Sequence, residues 1–102
     1  DERLIERDVG IYENKDWNNI DRKEFWNYFS TKYTGLETMK SVYKRVAECL
    51  DEVKEKYRDK TILLVTHGGT LRAIYWYFNG IPEDGNVGYD MHSNCEIKEY
   101  EL

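Results

Sequence analysis

A short apolar run that ends in one histidine and two glycines limits the folds open to this chain more than any other feature. Residues 61–66 read Thr-Ile-Leu-Leu-Val-Thr, and residues 67–69 read His-Gly-Gly. Such a run after a helix is typical of a strand that is buried on both faces of an α/β sheet. Residues 70–79 then have the pattern of a helix, with Gly80 as its C-terminal stop. The sequence thus predicts a strand, a glycine turn and a helix in that order.

This joint has the composition of an anion-binding site. Ligands of open α/β sheets bind at the carboxyl ends of strands, which is where His67 lies. The N-terminus of the next helix offers unpaired N–H groups and the positive end of a dipole, and both favour phosphate. Gly68 and Gly69 allow the backbone to approach a ligand closely. The pattern alone leaves a second interpretation open, in which His67 only caps the helix or packs.

Two further helices and a second strand are predicted elsewhere, whereas residues 1–19 have no regular pattern. Apolar residues recur at near-helical spacing from Ile20 to Tyr33, which predicts a helix over 20–33. Thr34 and Glu37 have the spacing of a capping box and open a helix that runs to about Tyr57. Its apolar stripe consists of Met39, Val42, Tyr43, Val46, Leu50 and Val53. Residues 83–93 are predicted as a loop and 95–102 as a final strand.

Composition narrows the function classes. A length of 102 residues predicts one domain, residues 1–102, with a modest core. The net charge of −5, with both signs interspersed, argues against nucleic acid as a partner. No stretch approaches the ~20 apolar residues of a membrane span, and no apolar targeting segment opens the chain, so a cytoplasmic protein is expected. Cys49 and Cys95 lack metal-ligand spacing and are predicted to be buried thiols. No metal site and no cofactor are expected.

Four blocks in a fixed order carry a resemblance to a known family. They are Arg3-Leu4 with Glu6-Arg7 and Gly10, then Glu37-Thr38, then His67-Gly68-Gly69 with Arg72-Ala73, and finally Asn94-Cys95-Glu96-Ile97. Together they resemble the histidine phosphatase superfamily, which includes cofactor-dependent phosphoglycerate mutases, bisphosphatases and small-molecule phosphatases. The resemblance implies an α/β fold, a three-layer α/β/α sandwich around a mostly parallel sheet. It also implies that the chain is the C-terminal part of such a domain, without its first strands.

The resemblance also implies a mechanism. In the family, a first histidine in an Arg-His-Gly motif takes the phosphoryl group. His67 matches the second histidine, which stabilises charge on the phosphoryl oxygens, and Glu6 matches the acid that protonates the leaving oxygen. Gly68 and Gly69 are expected to bind the substrate, a small phosphorylated metabolite or inorganic phosphate. Arg7 is expected either to steer this anion or to form a structural ion pair.

The chain departs from the family pattern in one respect. Its two histidines are His67 and His92, and neither stands in an Arg-His-Gly triplet. The implied function is therefore phosphomonoester hydrolysis through phosphohistidine in the complete protein. The alternatives are mutase-type phosphoryl transfer, which the short spacing from Gly10 to Glu37 disfavours, and a non-catalytic binding or assembly module. Missing strands would leave a sheet edge open to a second copy.

The aromatic segment and one further arginine are harder to assign. Trp17, Trp26 and Tyr28 lie where the family builds its pocket wall, so they are expected either to border the substrate or to pack in the interior. Arg72 follows His67 on the next helix and is expected to have a structural role.

Overall fold

Helices packed against one another form the body of the computed structural model, which describes residues 1–12, 20–86 and 97–101. The α-helices are α1, Arg22–Phe25, α2, Met39–Lys56, and α3, Gly68–Asn79. Single 3-10 turns occur at Glu2–Leu4 and Gly10–Tyr12. Among the described residues, no helix combines the length and the apolar character that crossing a membrane requires.

Helix α2 confirms the clearest helix prediction, with a later start. Thr38 is its N-cap and accepts a hydrogen bond from the Ser41 amide at 3.1 Å. The predicted cap, Thr34, therefore lies four residues too early, and Glu37 makes other contacts that are described below. The buried face of α2 consists of Met39, Val42, Val46, Cys49 and Leu50. Cys49 is thus a buried free thiol, as predicted.

Helix α3 begins directly after His67 and packs on α2. It ends at Asn79, and Gly80 adopts a positive φ of 84° there, as the predicted C-terminal stop requires. Ala73, Ile74 and Trp76 turn inward and meet the apolar face of α2. The core of the described chain is therefore a helix-to-helix interface, and it holds the N-terminus of α3 in place.

The helix predicted over 20–33 is much shorter in the structure. Asp21 caps α1, which ends after one turn at Phe25. The Asn27 side chain then accepts a hydrogen bond from the Phe29 amide at 2.8 Å, and the Tyr28 amide donates to the Gly85 carbonyl. An asparagine side chain that bonds its own backbone in this way competes with helix formation. The near-helical apolar spacing was therefore misleading here.

The predicted α/β sandwich is wrong for the part of the chain that the structure describes, because no strand or sheet occurs there. Residues 61–66 are not paired in a sheet, and the exposed fractions of Leu63 and Val65 are 76% and 86%. A strand needs the backbone groups of a second strand, whereas a helix satisfies its own. Local apolarity alone therefore predicted a burial on both faces that does not occur at Leu63 and Val65, although Leu64 packs against the core.

The second predicted strand lies partly outside the described residues. Residues 97–101 have no regular structure, and 95, 96 and 102 are not described. The predicted loop is described only to residue 86. The sheet edge invoked for self-association is likewise absent from the described ranges, so self-association stays a prediction that the structure does not address.

Candidate functional site

The carboxylate of Glu6 lies at the N-terminus of α3. Its Oε1 accepts hydrogen bonds from the backbone amide of Gly69 at 3.1 Å and from that of Arg7 at 2.7 Å. The free amides and the dipole at a helix N-terminus favour a negative charge. Two predicted site residues that are 63 positions apart in sequence, Glu6 and Gly69, are therefore in direct contact.

His67 stands at the same helix end. It is the N-cap residue of α3, with extended backbone angles, and its carbonyl accepts a hydrogen bond from the Leu71 amide at 2.8 Å. The imidazole makes no capping hydrogen bond, and the residue is exposed. The pattern of the sequence left open whether His67 caps the helix. In the structure its side chain does not cap, and the residue remains accessible two positions before Gly69, whose amide bonds Glu6.

The two glycines of the turn have different surroundings. A Cβ atom on Gly69 would lie 2.6 Å from Glu6 Oε1, 3.0 Å from Trp26 Cζ3 and 3.3 Å from Arg7 Cβ. A Cβ atom on Gly68 would meet only the Arg72 Nη1 atom, at 3.4 Å. Gly69 therefore permits the close approach of Glu6 to the helix, whereas Gly68 faces more open space.

Arg7 lies beneath this site and is buried. Its Nε donates to the Glu37 carbonyl at 2.6 Å, and its Nη1 donates to the Phe25 carbonyl at 2.7 Å. Its guanidinium carbon lies 4.6 Å from the ring centre of Phe25 and 5.2 Å from that of Trp26. Burial lowers the pKa of Arg7 to about 10, against the opposing attraction of Glu37 and Glu6. The side chain thus bonds main-chain carbonyls, and substrate binding by Arg7 stays a prediction.

Trp26 joins Arg7 to the α3 N-terminus. The guanidinium carbon of Arg72 lies 4.3 Å from the centre of the Trp26 ring, which therefore contacts the guanidinium groups of both arginines. Contacts of this kind stabilise the cation through the quadrupole of the ring. Trp26 therefore lines the site, whereas Tyr28 packs on Trp76 in the core. Trp17 and His92 lie outside the described residues.

Two threonine hydroxyls, one before α3 and one in its first turn, bond the backbone just before Glu6. The sequence did not predict these contacts. Thr70 donates to the Ile5 carbonyl at 2.8 Å, and Thr66 donates to the Leu4 carbonyl. Thr70 is fully buried. The sequence signal that could have predicted these contacts is the pair of threonines that flank the His-Gly-Gly turn.

Glu37 and Arg45 form a second attachment for the same segment. Arg45 Nε lies 2.9 Å from Glu37 Oε2, and Arg45 Nη2 lies 3.0 Å from Glu37 Oε1. Burial raises the pKa of Glu37, but hydrogen bonds from Arg45, the Asp8 amide and Ser41 outweigh it, so the pKa lies below its ordinary value. The sequence pattern predicted no role for Arg45. The only indication of this ion pair was a charged residue at the edge of the apolar stripe of α2.

Metal-binding side chains are not clustered near this site. Within residues 1–12, 20–86 and 97–101, no group of three or more His, Cys, Asp or Glu side chains is placed to hold a metal ion.

Comparison with known proteins identifies the family of this chain. The family model described as "Histidine phosphatase superfamily (branch 1)" matches residues 1–102. A Hydrogenobacter thermophilus protein, provisionally named phosphoserine phosphatase 2, is 36% identical over 95% of this chain and 52% of its own length. The metal-independent phosphoserine phosphatase of Arabidopsis thaliana is 31% identical over 71% of the chain and 34% of its own length.

A third relative is a 2,3-bisphosphoglycerate-dependent phosphoglycerate mutase of Staphylococcus epidermidis. It is 32% identical over 65% of the chain and 29% of its own length. The chain thus spans about half, or less, of the length of these relatives. Because the family model covers every residue, the chain belongs to the histidine phosphatase superfamily.

Proposed function

We propose that this chain supplies the acid and the second histidine of a phosphatase that hydrolyses a small phosphomonoester through a phosphohistidine. The observation that carries the proposal is the contact between Glu6 and the Gly69 amide, two residues after the accessible His67. A carboxyl group, an imidazole and the amides of a helix N-terminus are groups that phosphoryl transfer uses. Two relatives named as phosphoserine phosphatases support a phosphorylated amino acid, or a metabolite of similar size, as substrate.

In this proposal the residues divide the reaction between them. A histidine nitrogen attacks phosphorus, and the bond from phosphorus to the ester oxygen breaks while Glu6 gives that oxygen its proton. His67 and the first amides of α3 stabilise the charge on the non-bridging oxygens. Water then attacks the phosphorus, the bond from phosphorus to the histidine nitrogen breaks, and the Glu6 carboxylate takes the proton that the water loses, so that phosphate is released and Glu6 is protonated again. The attacking histidine is not His67, and none of the 102 residues forms an Arg-His-Gly triplet, so the complete protein would have to supply it.

The contact between an acidic side chain and the helix end supports phosphate as the ligand. Glu6 Oε1 accepts a hydrogen bond from the Gly69 amide, so this N-terminus already binds an oxygen of an acidic group. A phosphoryl oxygen would share or replace that contact. The buried free thiol of Cys49 is what a reducing compartment permits, which supports the cytoplasm as the location.

Glu6→Gln in a protein of the relatives' full length tests the acid role. An amide cannot give the leaving oxygen a proton, so hydrolysis of phosphoserine should slow by about 10²–10³-fold. An aryl phosphate, whose phenolate leaves without a proton, should lose less than about tenfold. Equal slowing of both substrates would remove Glu6 from this role. The 102-residue chain alone should release no phosphate from either.

The same assay separates the two alternatives. A mutase would move the phosphoryl group to a second hydroxyl with little release of inorganic phosphate. The mutase relative keeps this alternative open, although the short spacing from Gly10 to Glu37 favours a phosphatase. A non-catalytic binding module, which the absent triplet favours, would bind phosphate in the full-length protein and turn over nothing.

A further inference from the structure

We propose that Arg45, through Glu37, is a positioning residue that places the Glu6 carboxylate against α3. The catalytic importance of Arg45 rests on the proposed role of Glu6 as the acid. Its effect on the position of Glu6 does not depend on that role. Arg45 does not touch the acid. It holds the backbone on the N-terminal side of Glu6, and its partner Glu37 holds the backbone on the C-terminal side.

The first half of this attachment is made by one nitrogen of Arg45. Its Nη1 donates to the Arg3 carbonyl at 2.7 Å and to the Ile5 carbonyl at 2.9 Å. The Ile5 carbonyl also accepts from the Thr70 hydroxyl of α3 at 2.8 Å. The residue directly before Glu6 is therefore bonded from α2 and from α3 at once, which fixes the direction in which the Glu6 side chain leaves the backbone.

The second half is made by Glu37. Its Oε1 accepts from the Asp8 amide at 3.2 Å, and its own amide donates to the Asp8 carbonyl at 2.7 Å. Its carbonyl accepts from Arg7 Nε at 2.6 Å. Both residues that follow Glu6 are thus bonded to Glu37.

The bridge between the two halves has the geometry that holds an arginine firmly. Two nitrogens of Arg45 face the two carboxylate oxygens of Glu37, at 2.9 and 3.0 Å, in a bidentate pair. The side chains are only 18% and 19% exposed, so water competes weakly for these bonds. Helix α2 is the longest helix of the described chain and forms the core with α3. The bridge from Arg45 to Glu37 therefore attaches the backbone around Glu6 to the core.

The forked shape of arginine makes the proposal testable. A lysine at position 45 keeps the charge but cannot bond two carbonyls and both carboxylate oxygens together. With the 102-residue chain labelled with ¹⁵N, Arg45→Lys should move the Gly69 amide resonance toward its position in Glu6→Gln. The exchange of that amide with solvent should accelerate about tenfold, the factor expected for one lost hydrogen bond. Amides in the core, such as those of Val46 and Ala73, should change by less than about twofold.

The matched control is Lys44→Gln, at the exposed neighbour of Arg45 on α2. It should leave the Gly69 resonance in place. In the double variant Glu6→Gln/Arg45→Lys, the lysine should add no further change at Gly69, since Arg45 acts there through Glu6. An additional change of the same size in the double variant would overturn the proposal.

A Gly69 resonance that stays in place in folded Arg45→Lys would also overturn it. So would core amides that change as much as Gly69, since Arg45 would then be structural only. If Arg45→Lys does not fold, the same Gly69 and core amides are measured in Glu37→Gln, and the same outcomes decide. These readouts need neither phosphate nor turnover, so their failure is distinct from failure of the phosphatase proposal.

Discussion

Replacing Arg7 with methionine is expected to lower the free energy of unfolding by about 3 kcal/mol, the largest effect predicted for a single residue of the site. Methionine keeps the apolar stem but removes both donors, so the carbonyls of Glu37 and Phe25 lose these hydrogen bonds in a partly buried place. Burial of the Arg7 cation has a desolvation cost, which also lowers its pKa to about 10. Methionine removes this cost, and that gain offsets part of the loss. Urea unfolding followed by tryptophan fluorescence measures the difference.

The control for this change is Arg22→Met on α1. Arg22 is exposed, and an exposed substitution of this kind normally changes stability by less than about 0.5 kcal/mol. A result for Arg7→Met as small as that of the control would mean that its guanidinium does not hold the backbone. Substrate binding would then become the better account of Arg7. The structure therefore turns the two roles that the sequence left open for Arg7 into different measurable outcomes.

Gly69→Ala is expected to be the most disruptive change at the turn itself. The new methyl group would lie 2.6 Å from Glu6 Oε1 and 3.0 Å from a ring carbon of Trp26, so the carboxylate has to leave the helix end. We expect a loss of about 1–3 kcal/mol in stability. In addition, the amide resonance of residue 69 should shift, because the Glu6 carboxylate that accepts its hydrogen bond moves away. Denaturant unfolding and ¹⁵N spectra of the same sample test both effects.

Gly68→Ala is the matched control, one residue away in the same turn. Its methyl group would meet only Arg72 Nη1, at 3.4 Å, which is an ordinary contact with a flexible side chain. Since alanine favours a helix over glycine, stability should stay the same or rise by up to about 1 kcal/mol. Equal losses in both variants would show that backbone freedom matters at this turn and that room for Glu6 does not.

Helices α2 and α3 were readable from the sequence because a helix is a local structure. The apolar stripe of α2 and the stop at Gly80 depend on residues within a few turns, and both appear in the structure. The short α1 was not readable, because an Asn27 side-chain bond and a contact with Gly85 end it. The strand predicted over 61–66 failed for a related reason, since a strand depends on a partner that no local pattern reveals.

The site was only partly readable. Resemblance to the family pointed to Glu6 and His67, and the structure brings both to the N-terminus of α3. The residues that hold Glu6 there, Arg45 and Thr70, act through backbone carbonyls. Such contacts leave no pattern of spacing, because the carbonyl of any residue can accept them. Support of this kind can be found only in three dimensions.

We expect the helix end shared by Glu6, His67 and Gly69 to bind a phosphate group. The measurement is a titration of the ¹⁵N-labelled 102-residue chain with inorganic phosphate, at constant ionic strength and in sulfate-free buffer. The Gly68, Gly69 and Thr70 amides should shift together and saturate with a Kd of about millimolar, which is a weak complex. His67→Ala should weaken binding roughly tenfold, as loss of a charge-assisted contact would. Shifts confined to other amides, or equal phosphate binding by His67→Ala, would show that this helix end is not the phosphate site.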